Sequence, residues 1–358
     1  MKKIPIYSLR VILAVLFAAA SLGMPIVASA ASAQTYTVLV GAESVSHGAG
    51  VMAYFPSTLT IHVGDTVLWK VNTHEIHTVT FLAGTPEPVL IVPVPVTTTP
   101  FPGPLMINPR VGFPTVPAGG MYDGSTYANS GVMSTDPGNP TQFSLTFTQT
   151  GNFMYECIVH GMMMSGSIVV VGPSVRIPSP EAVSLKAQQT ITQKLASAFG
   201  LYGVAQSHVP EPVHNPDGST THTVLIGWSK GQLDLMKFVP SKLVVHPGDT
   251  VKFMLSPTND APHTVTFLNG NPDISFVVPV PNPPGPPILL FNPQVLAPTN
   301  PGKPLTRSGI FSSGLLQPVV GPTSFSFKIG NINGNITYQC LLHDTSGMVG
   351  LLTVVPKH

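Results

Sequence analysis

The chain has 358 residues, long enough for two domains that each bury a hydrophobic core. Hydrophobic residues make up 43% of it and charged residues only 9%, which excludes the highly charged, weakly hydrophobic composition of a disordered chain. The formal net charge of +1 argues against nucleic acid as a partner.

The first 33 residues have the form of a secretory signal peptide. Lys2, Lys3 and Arg10 form a basic start, an apolar stretch follows, and small residues at Ala28–Ala30 and Ala31–Ala33 offer cleavage sites. Removing residues 1–33 leaves 13 Lys and Arg against 15 Asp and Glu, a balance of −2. The segment predicts a secreted protein of the periplasm, the extracellular space or the cell surface. An uncleaved anchor is the alternative, and only in that case does the sequence predict contact with a membrane.

After this segment the chain repeats itself, with an offset of 183 to 186 residues. The repeated segments are TVLVG at 37–41 and TVLIG at 223–227, FPSTLTIHVGDTV at 55–67 and FVPSKLVVHPGDTV at 238–251, HTVTFL at 77–82 and again at 263–268, and YECIVH at 155–160 and YQCLLH at 338–343. Such a duplication predicts two domains of one fold, at 34–172 and 220–358.

Within each repeat, short segments alternate between apolar and polar residues. In the first repeat Leu59, Ile61 and Val63 precede a Gly-Asp turn, and the same alternation resumes at Val67 and Trp69. Alternation of this kind is typical of half-buried β-strands, and the many Pro and Gly residues break the chain into short strands. The pattern predicts an all-β fold of two tandem β-sandwiches.

The linker at 173–219 contains one helical pattern, predicted at about 180–199. Ser179 is placed to cap the helix, Pro180 stands in its first turn, and Gly200 ends it. Apolar residues recur at helical spacing within this segment, so we expect the helix to pack between the two domains. The rest of the linker is interpreted as loop.

Each repeat also carries a histidine at the start of a strand and, far downstream, a Cys-x2-His motif with methionine after it. The second repeat supplies His263, Cys340, His343 and Met348, and the first supplies His77, Cys157, His160 and a triplet of Met162, Met163 and Met164. Two imidazoles, one thiolate and a weak thioether are the ligands of a type 1 copper site. The pattern predicts two mononuclear copper ions.

The chain has two cysteines, and an exported protein would normally join them in a disulfide. Cys157 and Cys340, however, occupy equivalent positions in the two repeats. We therefore expect each to serve its own domain, with a disulfide between them as the disfavoured alternative.

The repeated motifs resemble those of the cupredoxins, the plastocyanin/azurin-like blue copper proteins, and the resemblance covers both halves. It implies a Greek-key β-sandwich for each. The spacing Cys-x2-His-x4-Met of the second repeat is plastocyanin-like, but the first has Ser165 where that methionine would stand. The family frame Met-x-Gly-x-aliphatic then selects Met164 as the axial ligand, with Met163 as the alternative and Met162 the least favoured.

The resemblance also implies a polar group near each cysteine sulfur. Thr78 and Thr264 directly follow the strand histidines, and a hydrogen bond from them to the sulfur would tune the redox potential. A hydroxyl-rich strand surface is the alternative interpretation.

Two Pro-rich insertions, at 86–109 and 275–293, are themselves duplicated. Proline excludes both from central strands. They are interpreted either as a stiff flap beside the copper or as surface elaboration. The remaining histidines are interpreted as loop or solvent-facing residues, and they include His62, His74, His208, His214, His222 and His246.

The residues beside the cysteines indicate whether the chain is an electron-transfer protein or a copper enzyme. Enzymes similar to the multicopper oxidases and copper nitrite reductases have histidine next to the type 1 cysteine. Here Glu156 and Ile158 flank one cysteine, and Gln339 and Leu341 flank the other. The sequence therefore predicts one-electron transfer without catalysis, and it does not identify the redox partners or the oligomeric state. Copper storage or delivery is the alternative, because Met52, Met106, Met121, Met133 and the methionine triplet at 162–164 enrich the first repeat in methionine. An enzyme is the least favoured interpretation.

Overall fold

The structure is a computed structural model that describes residues 32–94, 104–319 and 321–357. Most of the predicted signal peptide, residues 1–31, lies outside the described residues, as do residues 95–103 of the first Pro-rich insertion. Over the described ranges, no helix combines the length and the apolar character that crossing a membrane requires.

The regular elements of the first repeat are almost all strands. Its described strands are β1 (Thr35–Ser44), β2 (Ala49–Phe55), β3 (Thr58–His62), β4 (Thr66–Val71), β5 (Thr80–Phe81), β6 (Ile91–Pro93), β7 (Leu105–Ile107), β8 (Gly120–Tyr122), β9 (Ala128–Asn129), β10 (Gln142–Phe147), β11 (Gly151–Cys157) and β12 (Gly161–Val171). A 3-10 turn at Val45–His47 and the short helix α1 (Pro109–Gly112) complete it.

The linker holds α2 (Pro180–Phe199), α3 (Leu201–Ser207) and the short strand β13 (Val213–His214), and the regular elements of the second repeat are again mostly strands. These are β14 (Thr220–Lys230), β15 (Leu233–Val239), β16 (Lys242–Val245), β17 (Thr250–Leu255), β18 (Thr266–Phe267), β19 (Val277–Val280), β20 (Ile288–Phe291), β21 (Phe311–Ser312), β22 (Ser324–Lys328), β23 (Gly334–Gln339) and β24 (Val349–Val354). The short helix α4 spans Pro293–Leu296.

Each repeat builds a sandwich of two sheets. In the first repeat one sheet runs in the order β2-β1-β4-β10-β8 and the other in the order β3-β12-β11-β5-β9. In the second repeat the corresponding orders are β15-β14-β17-β22 and β16-β24-β23-β18-β21. Alternate side chains of β4 point inward, so Val67, Trp69 and Val71 are buried between the sheets. The predicted all-β sandwich fold is confirmed.

The two repeats join edge to edge. Strands β2 and β15 pair antiparallel, with Asp234 opposite Gly50, and this pairing makes one sheet that runs through both repeats. Residues 33–358 accordingly form one compact unit. The repeat boundaries at 34–172 and 220–358 stay a prediction. The sequence did not predict the pairing of β2 with β15.

The predicted linker helix is confirmed as α2. The side chain of Ser179 accepts a hydrogen bond from the backbone N–H of Ala182, and Pro180 begins the helix. Ala187 and Ile191 then pack on the apolar face of the shared sheet around β1 and β2. Gly200 ends α2, but the chain continues as α3 rather than as the predicted loop. Burial of Leu201 and Ala205 on β14 and β15 stabilises this second helix.

The Pro-rich insertions form a small sheet of their own. Each folds as a hairpin, β6 with β7 and β19 with β20, and β7 pairs with β20 across the two repeats. Pro93 and Pro279 lie on the outer strands of this sheet, but β7 and β20, which also belong to the insertions, are its two central strands. The prediction that proline keeps both insertions out of central strands is therefore wrong for this small sheet, because the two central strands contain no proline. Its apolar face, including Phe291, packs on Ile158, the residue that follows Cys157. The insertions therefore lie beside the first cysteine.

Candidate metal centres

The first repeat brings three of its predicted ligands together. His77, Cys157 and His160 each offer one ligand atom, and these atoms lie within 4.8 Å of one another. Sγ of Cys157 lies 3.9 Å from Nδ1 of His77 and 3.4 Å from Nδ1 of His160. Both rings therefore present the same nitrogen to the same sulfur.

The second repeat builds the same arrangement from equivalent residues. Sγ of Cys340 lies 3.7 Å from Nδ1 of His263 and 3.3 Å from Nδ1 of His343, and the two nitrogens are 3.0 Å apart. Within the described ranges, these two His–Cys–His clusters are the groups of His, Cys, Asp and Glu side chains close enough to hold a metal ion.

Backbone pairing fixes the histidine that comes from upstream. His77 exchanges two hydrogen bonds with Met133, from His77 N–H to Met133 O at 2.9 Å and from Met133 N–H to His77 O at 2.8 Å. His263 does the same with Leu316, at 2.8 Å in both directions. These isolated bridges hold each imidazole at one end of the sandwich before any ligand binds.

The cysteine and the second histidine come from one tight connection. Cys157 ends β11 and His160 stands in the turn that leads into β12. Cys340 follows β23, and its turn carries His343. Because the turn is short, the sulfur and the imidazole three residues later lie on the same side of the sheet.

The methionines of the first repeat differ in burial. Met164 is fully buried, whereas Met162 and Met163 are 69% and 50% exposed. Met348, which stands at the axial position predicted for the second repeat, is also fully buried. Met164 and Met348 belong to the apolar core that contains both cysteines. The burial of Met164 supports its assignment over Met163, which stays a prediction.

Both cysteines are free and buried, so the disfavoured disulfide does not form. Each sulfur accepts a hydrogen bond from a backbone N–H, that of Thr78 or Thr264, at 3.3 Å in both sites. The threonine hydroxyls accept the N–H of the residue after each cysteine, at 2.9 Å for Ile158 and 2.8 Å for Leu341. Both threonines thus brace the cysteine, and it is their backbone N–H that makes the hydrogen bond to sulfur which the resemblance implied.

Burial sets the protonation states of these ligands. Desolvation lowers the pKa of His160 to about 4 and that of His343 to about 3. It also lowers the pKa values of His77 and His263 well below their ordinary value, with a smaller contribution from the neighbouring ligand histidine. The imidazoles are therefore neutral and keep a lone pair for a metal. Desolvation also raises the pKa of the Cys157 thiol and raises that of Cys340 to about 11. A bound cation is needed to hold either sulfur as a thiolate near neutral pH.

The Nε2 nitrogens of the ligand histidines, which face away from the sulfur, have different hydrogen-bond surroundings. Nε2 of His263 lies 2.9 Å from Oδ1 of Asn259, whereas Nε2 of His77 is buried and has no hydrogen-bond partner within the described residues. Nε2 of His343 lies 3.4 Å from Oε1 of Glu75, a residue of the first repeat. Burial, Asp234 and other nearby carboxylates raise the pKa of Glu75 to about 8 in the metal-free protein. Sequence reasoning missed Asn259 and Glu75, since neither is repeated in the other half.

The other histidines lie outside both clusters. His74 pairs with the carboxylate of Glu43, and Nε2 of His62 lies 2.8 Å from the carbonyl oxygen of Val175. His246 contacts Asp249 at the second Gly-Asp turn. The sequence analysis had interpreted all three as loop or solvent-facing residues, although His62 and His246 recur in both repeats as the ligand histidines do.

The ligand atoms fit copper. Separations of 3.3 to 3.9 Å between sulfur and nitrogen are those of atoms that share one small cation. Buried neutral imidazoles suit both oxidation states of copper, and the thiolate suits Cu(I). The clusters therefore provide the right ligand types in a site closed to most of the solvent.

Comparison with protein families agrees with this chemistry. Residues 41–171 match the family described as copper binding proteins, plastocyanin/azurin family. This match lies within the first repeat and agrees with the resemblance stated from the sequence, and it supports copper as the metal. The second repeat contains the same His–Cys–His cluster, so the chain has two candidate copper sites of the blue copper type.

Solved structures similar to the chain include cupredoxins. An oxidised amicyanin mutant is 20% identical, with a TM-score of 0.22, and the match covers 38% of this chain and 81% of that chain. A mutant plastocyanin of fern is 23% identical, also with a TM-score of 0.22, and the match covers 37% of this chain and 99% of that chain.

Proposed function

We propose that this chain is an exported electron carrier with two mononuclear type 1 copper sites. His77, Cys157, His160 and Met164 hold one copper, and His263, Cys340, His343 and Met348 hold the other. A copper ion held by these residues would supply one-electron chemistry, because copper can alternate between Cu(II) and Cu(I). The observation that supports this function best is the repetition of one buried His–Cys–His cluster with the same nitrogens facing the sulfur.

The chain's own residues favour rapid electron exchange over chemistry on a substrate. Paired backbone hydrogen bonds hold His77 and His263, and a backbone N–H fixes each sulfur. A site held this firmly changes little in geometry when the charge of its metal changes by one. Burial of the ligands also keeps water away from the metal.

Voltammetry of the copper-loaded protein tests this function. An electron carrier gives a reversible one-electron response for each site and retains its copper through repeated cycles. Loss of copper on reduction, measured with a Cu(I) chelator in the same experiment, would contradict electron transfer as the function.

Copper storage or delivery is the second candidate, and the surface of the first repeat favours it. Met121, Met154, Met162 and Met163 are each at least half exposed, and thioethers are soft ligands for Cu(I). A storage protein would bind Cu(I) beyond two equivalents per chain, and changing all four methionines to leucine would remove the excess. Binding that ends at two equivalents would count against storage.

Export from the cell is a further part of the proposal. The signal-like segment at 1–33 supports release into the periplasm, the extracellular space or the cell surface. Sequencing the N-terminus of the exported protein tests this directly, since cleavage after Ala30 or Ala33 is expected. An intact N-terminus on a membrane-bound protein would instead support the uncleaved anchor.

A further inference from the structure

The second copper site receives a side chain from the first repeat. Oε1 of Glu75 lies 3.4 Å from Nε2 of His343, on the side of the ring that faces away from Cys340. Both side chains are largely buried, with exposed fractions of 10% for Glu75 and 6% for His343. Oε1 is buried and makes no hydrogen bond within the described residues, so this close approach to the imidazole leaves it free to accept one.

The loop that carries Glu75 is docked onto the second repeat. The carboxylate of Glu43 accepts hydrogen bonds from the backbone N–H of His74 at 2.9 Å and from the hydroxyl of Thr73 at 3.1 Å. It also accepts one from the hydroxyl of Ser346, three residues after His343, at 3.1 Å. Glu43 therefore ties the Glu75 loop to the turn that holds His343, and the contact does not depend on Glu75 alone.

The second repeat does not contribute an equivalent side chain to the first copper site. The position equivalent to Glu75 in the second repeat is Ala261, which has no polar side chain to offer His160. The first site is also the more open one, because His160 is half-buried whereas His343 is 5% exposed. The two sites have the same ligands but different surroundings.

We propose that Glu75 is a positioning residue for the second copper site, so that this site is built by both repeats and the first site by one. The inference rests on the proposed role of His343 as a ligand. When Nδ1 of His343 binds a cation, the proton of the neutral ring is on Nε2, and Oε1 of Glu75 accepts that N–H. The contact fixes the ring and increases the donor strength of Nδ1, as outer partners of metal-bound histidine do.

The test uses each site alone. Cys157→Ser leaves the second site, Cys340→Ser leaves the first, and Cu(I) affinity is measured in each background by competition with a chelator. In the Cys157→Ser background, Glu75→Ala should weaken Cu(I) binding by about 10-fold to 100-fold. Glu75→Gln should lose less, because its amide oxygen still accepts the Nε2–H. Glu211→Gln, at an exposed position, is the matched control for removal of one charge and should change nothing.

A second readout separates positioning from general stability. The ¹⁵N shifts of the His343 ring in the Cu(I)-loaded Cys157→Ser protein should show the Nε2–H form, and Glu75→Ala should shift the Nε2 signal. Far-UV circular dichroism of the same variants confirms that they are folded. In the Cys340→Ser background, Glu75→Ala should change Cu(I) affinity by less than about threefold.

Two results would overturn the inference: unchanged affinity and ring shifts at the second site, or an equal loss at both sites, which would indicate a disturbed loop. If the Cys157→Ser protein without further change bound no copper, the proposed function of the second repeat would fail, and the role of Glu75 would fail with it.

Discussion

Gly41 lies directly against the ring of His77. A β-carbon at position 41 would stand 2.7 Å from Nε2 of His77, and the backbone there has a positive φ of 69°. Gly227 has the same relation to His263, with 2.8 Å to Nε2 and a φ of 65°. Both glycines lie at an irregularity in the pairing of their strand, which bends the chain around the imidazole.

The relation predicts that Gly41→Ala damages the first copper site. The added methyl group must displace both Cγ2 of Thr73, which would lie closer still, and the ring of His77. We expect Cu(I) affinity in the Cys340→Ser background to fall about tenfold or more, the effect of ~1.4 kcal/mol. Gly84→Ala is the control, because Gly84 also has a positive φ, of 78°, but nothing within 4 Å of its β-carbon. Equal effects of the two substitutions would show that the backbone alone is responsible.

Burial of the methionines predicts which one tunes the potential. Met164→Leu should leave the visible colour of the first site in place, because the cysteine thiolate produces it, and should raise the reduction potential by removing a weak donor to Cu(II). Met163→Leu, at a half-exposed side chain, should leave the potential unchanged. Voltammetry in the Cys340→Ser background measures both, and the opposite ranking would assign the axial role to Met163.

The difference in exposure between the sites predicts a difference in reaction rate. A small external reductant should reduce the first site, in Cys340→Ser protein, faster than the second site, in Cys157→Ser protein. His160 is half-buried, whereas His343 is covered by the first repeat. Stopped-flow absorbance measures both rates. Equal rates after correction for the two potentials would show that exposure of the ligand histidine does not govern access.

The junction of the repeats predicts a pH dependence of stability. Burial and the nearby Asp260 raise the pKa of Asp234 to about 7, above its ordinary value of 3.8. Between these values the unfolded chain loses this proton while the folded chain retains it, so stability falls as the pH rises through the interval and levels off above it. Asp234→Asn removes this loss.

We therefore expect Asp234→Asn to stabilise the copper-free protein at pH 8, by on the order of 1 kcal/mol, and to have little effect at pH 4. Denaturant unfolding at the two pH values measures the difference, with Glu211→Gln as an exposed control. A benefit that is the same at both pH values would exclude titration of Asp234 as its cause.

Much of the candidate site could be predicted because the chain contains it twice. Recurrence of HTVTFL and Cys-x2-His selected His77, Cys157 and His160 among many other residues, and the structure brings these three together. Gly41 also lies in a repeated segment, so the sequence could have marked it as a special position. Only the structure shows why glycine stands there, because the ring of His77 packs against it.

What the sequence did not show depends on how the repeats dock. Glu75 contacts His343 only because β2 pairs with β15, and an edge pairing between two strands leaves no periodic pattern in either. The helix α3 was missed for a similar reason, since burial on β14 and β15 outweighs its weak local signal. The thioether assignments of Met164 and Met348 stay predictions.

The copper content of the purified chain, counted together with its electron paramagnetic resonance spectrum, tests the central claim most directly. The account predicts two copper ions per chain with the narrow hyperfine splitting of type 1 sites, and one ion after either Cys157→Ser or Cys340→Ser. A single copper per chain, or loss of both ions when one cysteine is changed, would contradict it.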